Sequence, residues 1–100
     1  MYVKIHHAGQ HTASINVVAV CDESLLGKTL QEGKISITIS ESFYKGDLKN
    51  EKETLAVLKD ARNINLIGEE AVATGLKAGI ITKENIRTIK GVSHAQAVVF

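Results

Sequence analysis

The chain contains no proline, a single cysteine, four aromatic residues and no excess of charge of either sign. Each scarcity excludes something. Average proline usage is about 5%, so the turns here must be built from Gly, Asn, Asp and Ser. A lone Cys21 permits no intrachain disulfide and suits a reducing compartment. Lys plus Arg is 12 against 11 for Asp plus Glu. That balance argues against a dedicated duplex-DNA binder, which carries a strong basic excess. Local positive charge remains at the C-terminal end, where Lys83, Arg87 and Lys90 face only Glu84. No apolar run approaches the ~20 residues of a membrane span. MYVKIHHAGQ alternates polar and apolar residues, unlike a signal peptide. A cytoplasmic protein without a membrane partner is the expectation. There is no internal repeat, low-complexity stretch or linker.

What is present is a hydrophobic content of 44% over 100 residues, enough for one domain, residues 1–100, with one core. Tyr2 to His7 alternates as a strand. Ile15 to Cys21, INVVAVC, is a β-branched, almost continuously apolar run, and predicts a central strand covered on both faces. The short GQHTAS connection makes the two a hairpin. Asp22 is placed to cap a helical turn, DESLL, that ends at Gly27. KISITIS alternates strictly, with Ile35, Ile37 and Ile39 inward and the other face wet. ESFYKGDL is a loop or a strand turning at Lys45-Gly46. Asn50 and Glu53 fit a capping box opening a helix over 51–61 that buries Leu55, Leu58 and Ala61.

From Asn63 to Ile80 the apolar and small residues Ile64, Ile67, Gly68, Ala71, Val72, Gly75 and Leu76 fall on one helical face. The spacing predicts a second helix over 64–78, or a bent continuation of the first. Glycine inside a helix costs about 1 kcal/mol relative to alanine, so Gly68 and Gly75 imply a close approach to large sheet residues. Gly79 suits the left-handed position after the helix, with Ile80 folding back. Ile86–Ile89 and Ala95–Phe100 read as two further strands joined through KGVSH. The sum is an α+β, two-layer sandwich: a mixed or antiparallel sheet of four to five strands with helices on one face.

No constellation identifies a reaction. Gly27-Lys28-Thr29 resembles the end of a phosphate-binding loop, but that loop needs a glycine where Asp22 stands. His6, His7, His11, His94 and Cys21 show no metal-ligand spacing, and neighbours on a strand such as His6 and His7 point to opposite faces. No metal or cofactor is expected. Asp22 and Glu23 would raise the Cys21 thiol pKa, which weakens a nucleophile reading. Glu41-Ser42-Phe43-Tyr44-Lys45-Gly46 concentrates two of the four aromatics beside a lysine, a pairing suited to stacking on bases and contacting a phosphate.

MYVKIH, CDESLLGKTLQEG, ESFYKG, NLIGEEAV and GVSHAQAV, in that order, resemble the archaeal family catalogued as domain of unknown function 424. The likeness spans nearly the whole chain, with a longer GQHTASIN turn. It implies a small cytoplasmic archaeal protein of two-layer α/β fold, carries no established activity, and leans toward an RNA- or ribosome-associated setting.

Two function classes follow. The first is a non-enzymatic binding module for RNA or ribosomal components. Its candidate residues are Lys28, Lys45 and Lys90 for phosphates, Phe43 and Tyr44 for stacking, and His94 for a hydrogen bond. The second is a small enzyme whose loops gather Cys21, Glu41, Tyr44 and His94 in a pocket. A homodimer through the terminal strand is a further expectation.

Overall fold

The structure is a computed structural model and describes residues 1–8 and 15–98. The expected tip of the first hairpin and His11 lie outside those residues, as does the end of the last strand at 99–100.

Strands β1 (Tyr2–Ala8) and β2 (Ile15–Cys21) form the expected antiparallel hairpin, with Tyr2 opposite Cys21 and Ala8 opposite Ile15. A short 3-10 turn, Glu23–Leu25, leads to a separate two-stranded ribbon, β3 (Thr29–Glu32) and β4 (Ile35–Thr38). Helix α1 (Glu41–Tyr44), strand β5 (Asp47–Leu48), helix α2 (Glu51–Leu58), strand β6 (Asn63–Ile67), helix α3 (Glu69–Ala78), and strands β7 (Ile86–Ile89) and β8 (Val92–Val98) complete the order.

The main sheet is mixed and six-stranded, in the order β5-β1-β2-β6-β8-β7. Among the described residues only β2 and β6 are parallel neighbours. The expected four to five strands become six because KISITIS leaves for the separate ribbon and two other segments enter the sheet. Two residues of ESFYKGDL pair with β1 as β5. Asn63 to Ile67, expected as the first turns of a helix, is the strand at the centre of the sheet. Its five residues also alternate with period two. Ile64 and Leu66 face one side, and Asn63, Asn65 and Ile67 face the other. A strand joined directly to an amphipathic helix by one glycine extended the helical pattern backwards.

Helices do not lie on one face. Helices α2 and α3 cover the face that carries Val3, Val18, Val20, Ile64, Leu66 and Ala95, closing a core with Leu58, Ala71, Val72 and Ile81. The opposite face carries Ala19, Cys21, Ile67 and Ile89, and is covered by α1 and the β3–β4 ribbon through Tyr44, Leu30 and Ile39. The alternation of KISITIS was therefore the pattern of a ribbon packed over the sheet. Ile39 is fully buried, Ile37 half-buried and Ile35 exposed, so burial fades toward the ribbon's tip.

Several local signals act as expected. The Asn50 side chain accepts from the Glu53 N–H, and Glu53 accepts from the Asn50 N–H, a complete capping box for α2. That helix ends at Leu58, short of 61. Leu58 is buried, and Leu55 and Ala61 are half-buried. Gly79 takes a left-handed φ of 75° after α3, and Ile80 N–H returns to the Gly75 carbonyl. Gly75 supplies the close approach, since a Cβ there would overlap Leu66 Cδ1. Gly68 has another role: with φ 111° it turns the chain from β6 into α3.

Candidate functional site: the uncovered half of the sheet

The register of the strands fixes which side chains share the second face. One row runs Tyr2, Cys21, Ile67, His94 and Arg87 across β1, β2, β6, β8 and β7. The next row is Lys4, Ala19, Asn65 and Gln96, and the one beyond is His6, Val17, Asn63 and Val98. The α1–ribbon layer buries the Cys21–Ile67 end of this face. Away from it the face becomes mostly polar: Lys4, His6, Asn63 and Asn65 are half-buried and Gln96 and Arg87 exposed, with half-buried Val17 and exposed Val98 among them. Four strand spacings separate β1 from β7, so Lys4 and Arg87 stand about 19 Å apart across the sheet.

Helix α1 forms one wall. The Phe43 ring stacks on His6 with centroids 4.7 Å apart and meets Tyr44 edge-on at 4.8 Å. His6 Nε2 donates to the Phe43 carbonyl at 2.8 Å, and Lys4 Nζ donates to the Ser42 carbonyl at 2.6 Å. These bonds hold α1, a single turn too short to stand alone, against β1.

Beneath that wall runs a buried polar chain. Tyr44 O–H donates to Asn65 Oδ1 at 2.6 Å, and His94 Nε2 lies 3.3 Å from the same oxygen. Asn65 thereby spends its carbonyl on two donors and keeps its NH2 for the open face. Burial, and then the neighbouring Arg87 charge, hold the His94 pKa below the ordinary histidine value. Its Nδ1 is buried with no hydrogen-bond partner among the described residues. Burial, with the nearby Asp22 charge, pushes the Cys21 thiol up to about 11. Tyr44 rises to about 12 through burial and the adjacent Cys21. Both are therefore protonated at neutral pH.

The residues expected from sequence divide accordingly. Tyr44 and His94 come together through Asn65, with Cys21 in the same core cluster, while Glu41 is exposed on α1. Tyr44 is 4% exposed and His94 4%, so neither presents a free ring to a base. Phe43 is half-buried against His6. Lys28, Lys45 and Lys90 are exposed on three separate turns. Sequence reasoning missed Lys4, His6, Asn63, Asn65, Arg87 and Gln96 as one surface. The available signal was the period-two placement of Asn63 and Asn65 in an otherwise apolar strand.

Another ligand position is closed. Ligands of α/β sheets commonly lie at the carboxyl ends of neighbouring parallel strands, against a helix N-terminus. Here β2 and β6 end side by side before α3, and the Asp22 carboxylate occupies that point. Its oxygens accept from Glu70 N–H at 3.0 Å and Ala71 N–H at 2.8 Å. Asp22 was expected to cap its own 3-10 turn, and its side chain makes no such bond. Among the described residues no three His, Cys, Asp or Glu side chains converge to hold a metal, and no helix is long and apolar enough to cross a membrane.

The family model "Protein of unknown function (DUF424)" matches residues 10–100. A solved structure titled as an uncharacterized conserved protein from Methanopyrus kandleri is similar, with 27% identity and a TM-score of 0.82 over 99% of this chain and 92% of that one. Comparison with curated proteins gave no match.

Proposed function

Because the chain belongs to the DUF424 family, which carries no stated activity, we propose from the site itself that it is a non-enzymatic module binding single-stranded RNA on the uncovered half of its sheet. One observation carries this reading. A polar surface of amides, Asn63, Asn65 and Gln96, is laid across a sheet face between two cations, Lys4 and Arg87, and beside the stacked His6–Phe43 pair. Amides hydrogen-bond the edges of unpaired bases, and cations neutralise phosphates. A face five strands wide, β1 to β7, has room for the two or three bases that sheet-based readers seat. Duplex would not fit the chemistry: the near-neutral total charge offers little counterion release.

The reading revises the residue set. Phe43 acts with His6 as a wall, Tyr44 and His94 support Asn65 from below, and Lys28, Lys45 and Lys90 are peripheral cations. The test is a titration of isotope-labelled protein with a short single-stranded RNA, followed by amide chemical shifts. Perturbation of the Asn63, Asn65 and Gln96 side-chain amides is expected. Saturating shifts confined to α2 and α3, or none at millimolar RNA, would end the proposal.

The enzyme alternative has a narrower basis in the Cys21–Tyr44–Asn65–His94 cluster. Its potential nucleophile is fully buried and its thiol pKa is about 11, which leaves too little thiolate for nucleophilic catalysis at neutral pH.

A further inference from the structure

The geometry points to a ribonucleotide subsite at the β7–β8 side of this face, where a ribose 2′-hydroxyl donates to His94 Nδ1 and the adjoining phosphate pairs with Arg87. This rests on the RNA reading above and deepens it. The hydrogen bonds fix the tautomer. Tyr44 donates to Asn65 Oδ1, an oxygen that can only accept. His94 Nε2, in contact with the same oxygen, must therefore carry a hydrogen. The neutral ring then presents a bare lone pair at Nδ1, and no group among the described residues meets it. Buried acceptors are nearly always paired, so an orphan calls for an explanation.

His94 lines a depression of about 370 Å³ together with Glu84, Asn85, Arg87 and Gln96. That volume lies at the small end of ligand sites and suits one nucleotide unit. A lone pair needs a donor, which excludes a bare phosphate oxygen as its partner. The guanidinium of Arg87, opposite His94 in register and on the same face, offers a partner to an anion, while the Glu84 carboxylate of the same depression accepts from the Thr82 hydroxyl. A hydroxyl attached next to a phosphate satisfies both, and a ribonucleotide carries that pair. Arg87 is exposed and lines the same depression as His94, so a ligand seated there meets both. Gln96 belongs both to this depression and to the amide surface, which places the subsite in line with the proposed RNA path. A 2′-hydroxyl acceptor is also what lets a protein distinguish RNA from DNA.

The experiment follows the ¹⁵N resonance of His94 Nδ1 while adenosine 3′-monophosphate, its 2′-deoxy counterpart and inorganic phosphate are titrated. The ribonucleotide is expected to move Nδ1 upfield and to bind about tenfold tighter than the deoxynucleotide, the effect of one such hydrogen bond. Arg87→Gln should weaken both nucleotides, and His94→Gln should abolish the preference. Equal affinity for the two, or an unmoved Nδ1, overturns the subsite. A single-stranded RNA oligomer run alongside separates the failures. If it still shifts Asn63 and Gln96, only the subsite falls; if it does not, the RNA reading falls with it.

Discussion

The carboxylate of Asp22 fills the space that a side chain at Gly68 would need. A Cβ on residue 68 would overlap the Asp22 carboxyl group, and the backbone there has a φ of 111°. The two residues end the parallel strands β2 and β6, and Asp22 N–H donates to the Ile67 carbonyl at 3.1 Å. The close approach lets one carboxylate tie β2 to the first turn of α3, 48 and 49 residues further along.

Gly68→Ala combines backbone strain with a clash against a buried charged group. Each effect costs about 1–3 kcal/mol, so a loss of about 3 kcal/mol is expected. The midpoint of urea unfolding measures it. Gly79→Ala, with a positive φ but open space around its Cβ, should lose only about 1 kcal/mol.

Asp22→Ala leaves the Glu70 and Ala71 amides without their acceptor and should destabilise by about 1–2 kcal/mol. Asp22→Asn retains one acceptor oxygen and should lose less. Thermal unfolding followed by circular dichroism ranks the two.

The Cys21 thiol is fully buried and should be inert to a thiol reagent in the folded protein, reacting at the rate of unfolding. Its pKa is raised from 9.0 to about 11, so the folded state holds its proton more tightly than the unfolded chain. That contribution to stability is complete below pH 9 and is lost as pH rises toward 11. Cys21→Ser should flatten this part of the alkaline stability profile.

His94 gives the acid limb. Its pKa is lowered from 6.5, so the unfolded chain binds the proton more readily. The corresponding stability is present above pH 6.5 and falls as the solution is acidified through and below that value. Unfolding free energies measured from pH 8 to 5 should show the decline, and His94→Gln should reduce its slope.

Sequence legibility followed the range of the forces involved. The Asn50–Glu53 capping box, the Gly79 helix end and the β1–β2 hairpin depend on residues close along the chain, and each could be read directly. The Asn63–Ile67 strand could not be fixed the same way. Its period-two alternation and the helical spacing of Ile64, Ile67, Ala71 and Val72 coexist in one short run, and only pairing with β2 and β8 decides between them. The ribbon was misplaced for a similar reason: Ile35, Ile37 and Ile39 reveal an inward face but not which surface receives it. The functional surface was the least legible part. Lys4, Asn65 and Gln96 lie on β1, β6 and β8, and become neighbours only through the sheet register.

The most direct test of the RNA-binding face compares the affinity of a fluorescent single-stranded RNA for the wild type, for Lys4→Ala with Arg87→Ala, and for Lys59→Ala at the C-terminal cap of α2, measured by anisotropy across a salt series. The face variant should bind at least about tenfold more weakly, with a salt dependence shallower by roughly one to two phosphate contacts, while the α2 variant matches the wild type. Equal affinity of the face variant and the wild type, or a loss confined to Lys59→Ala, would contradict the account.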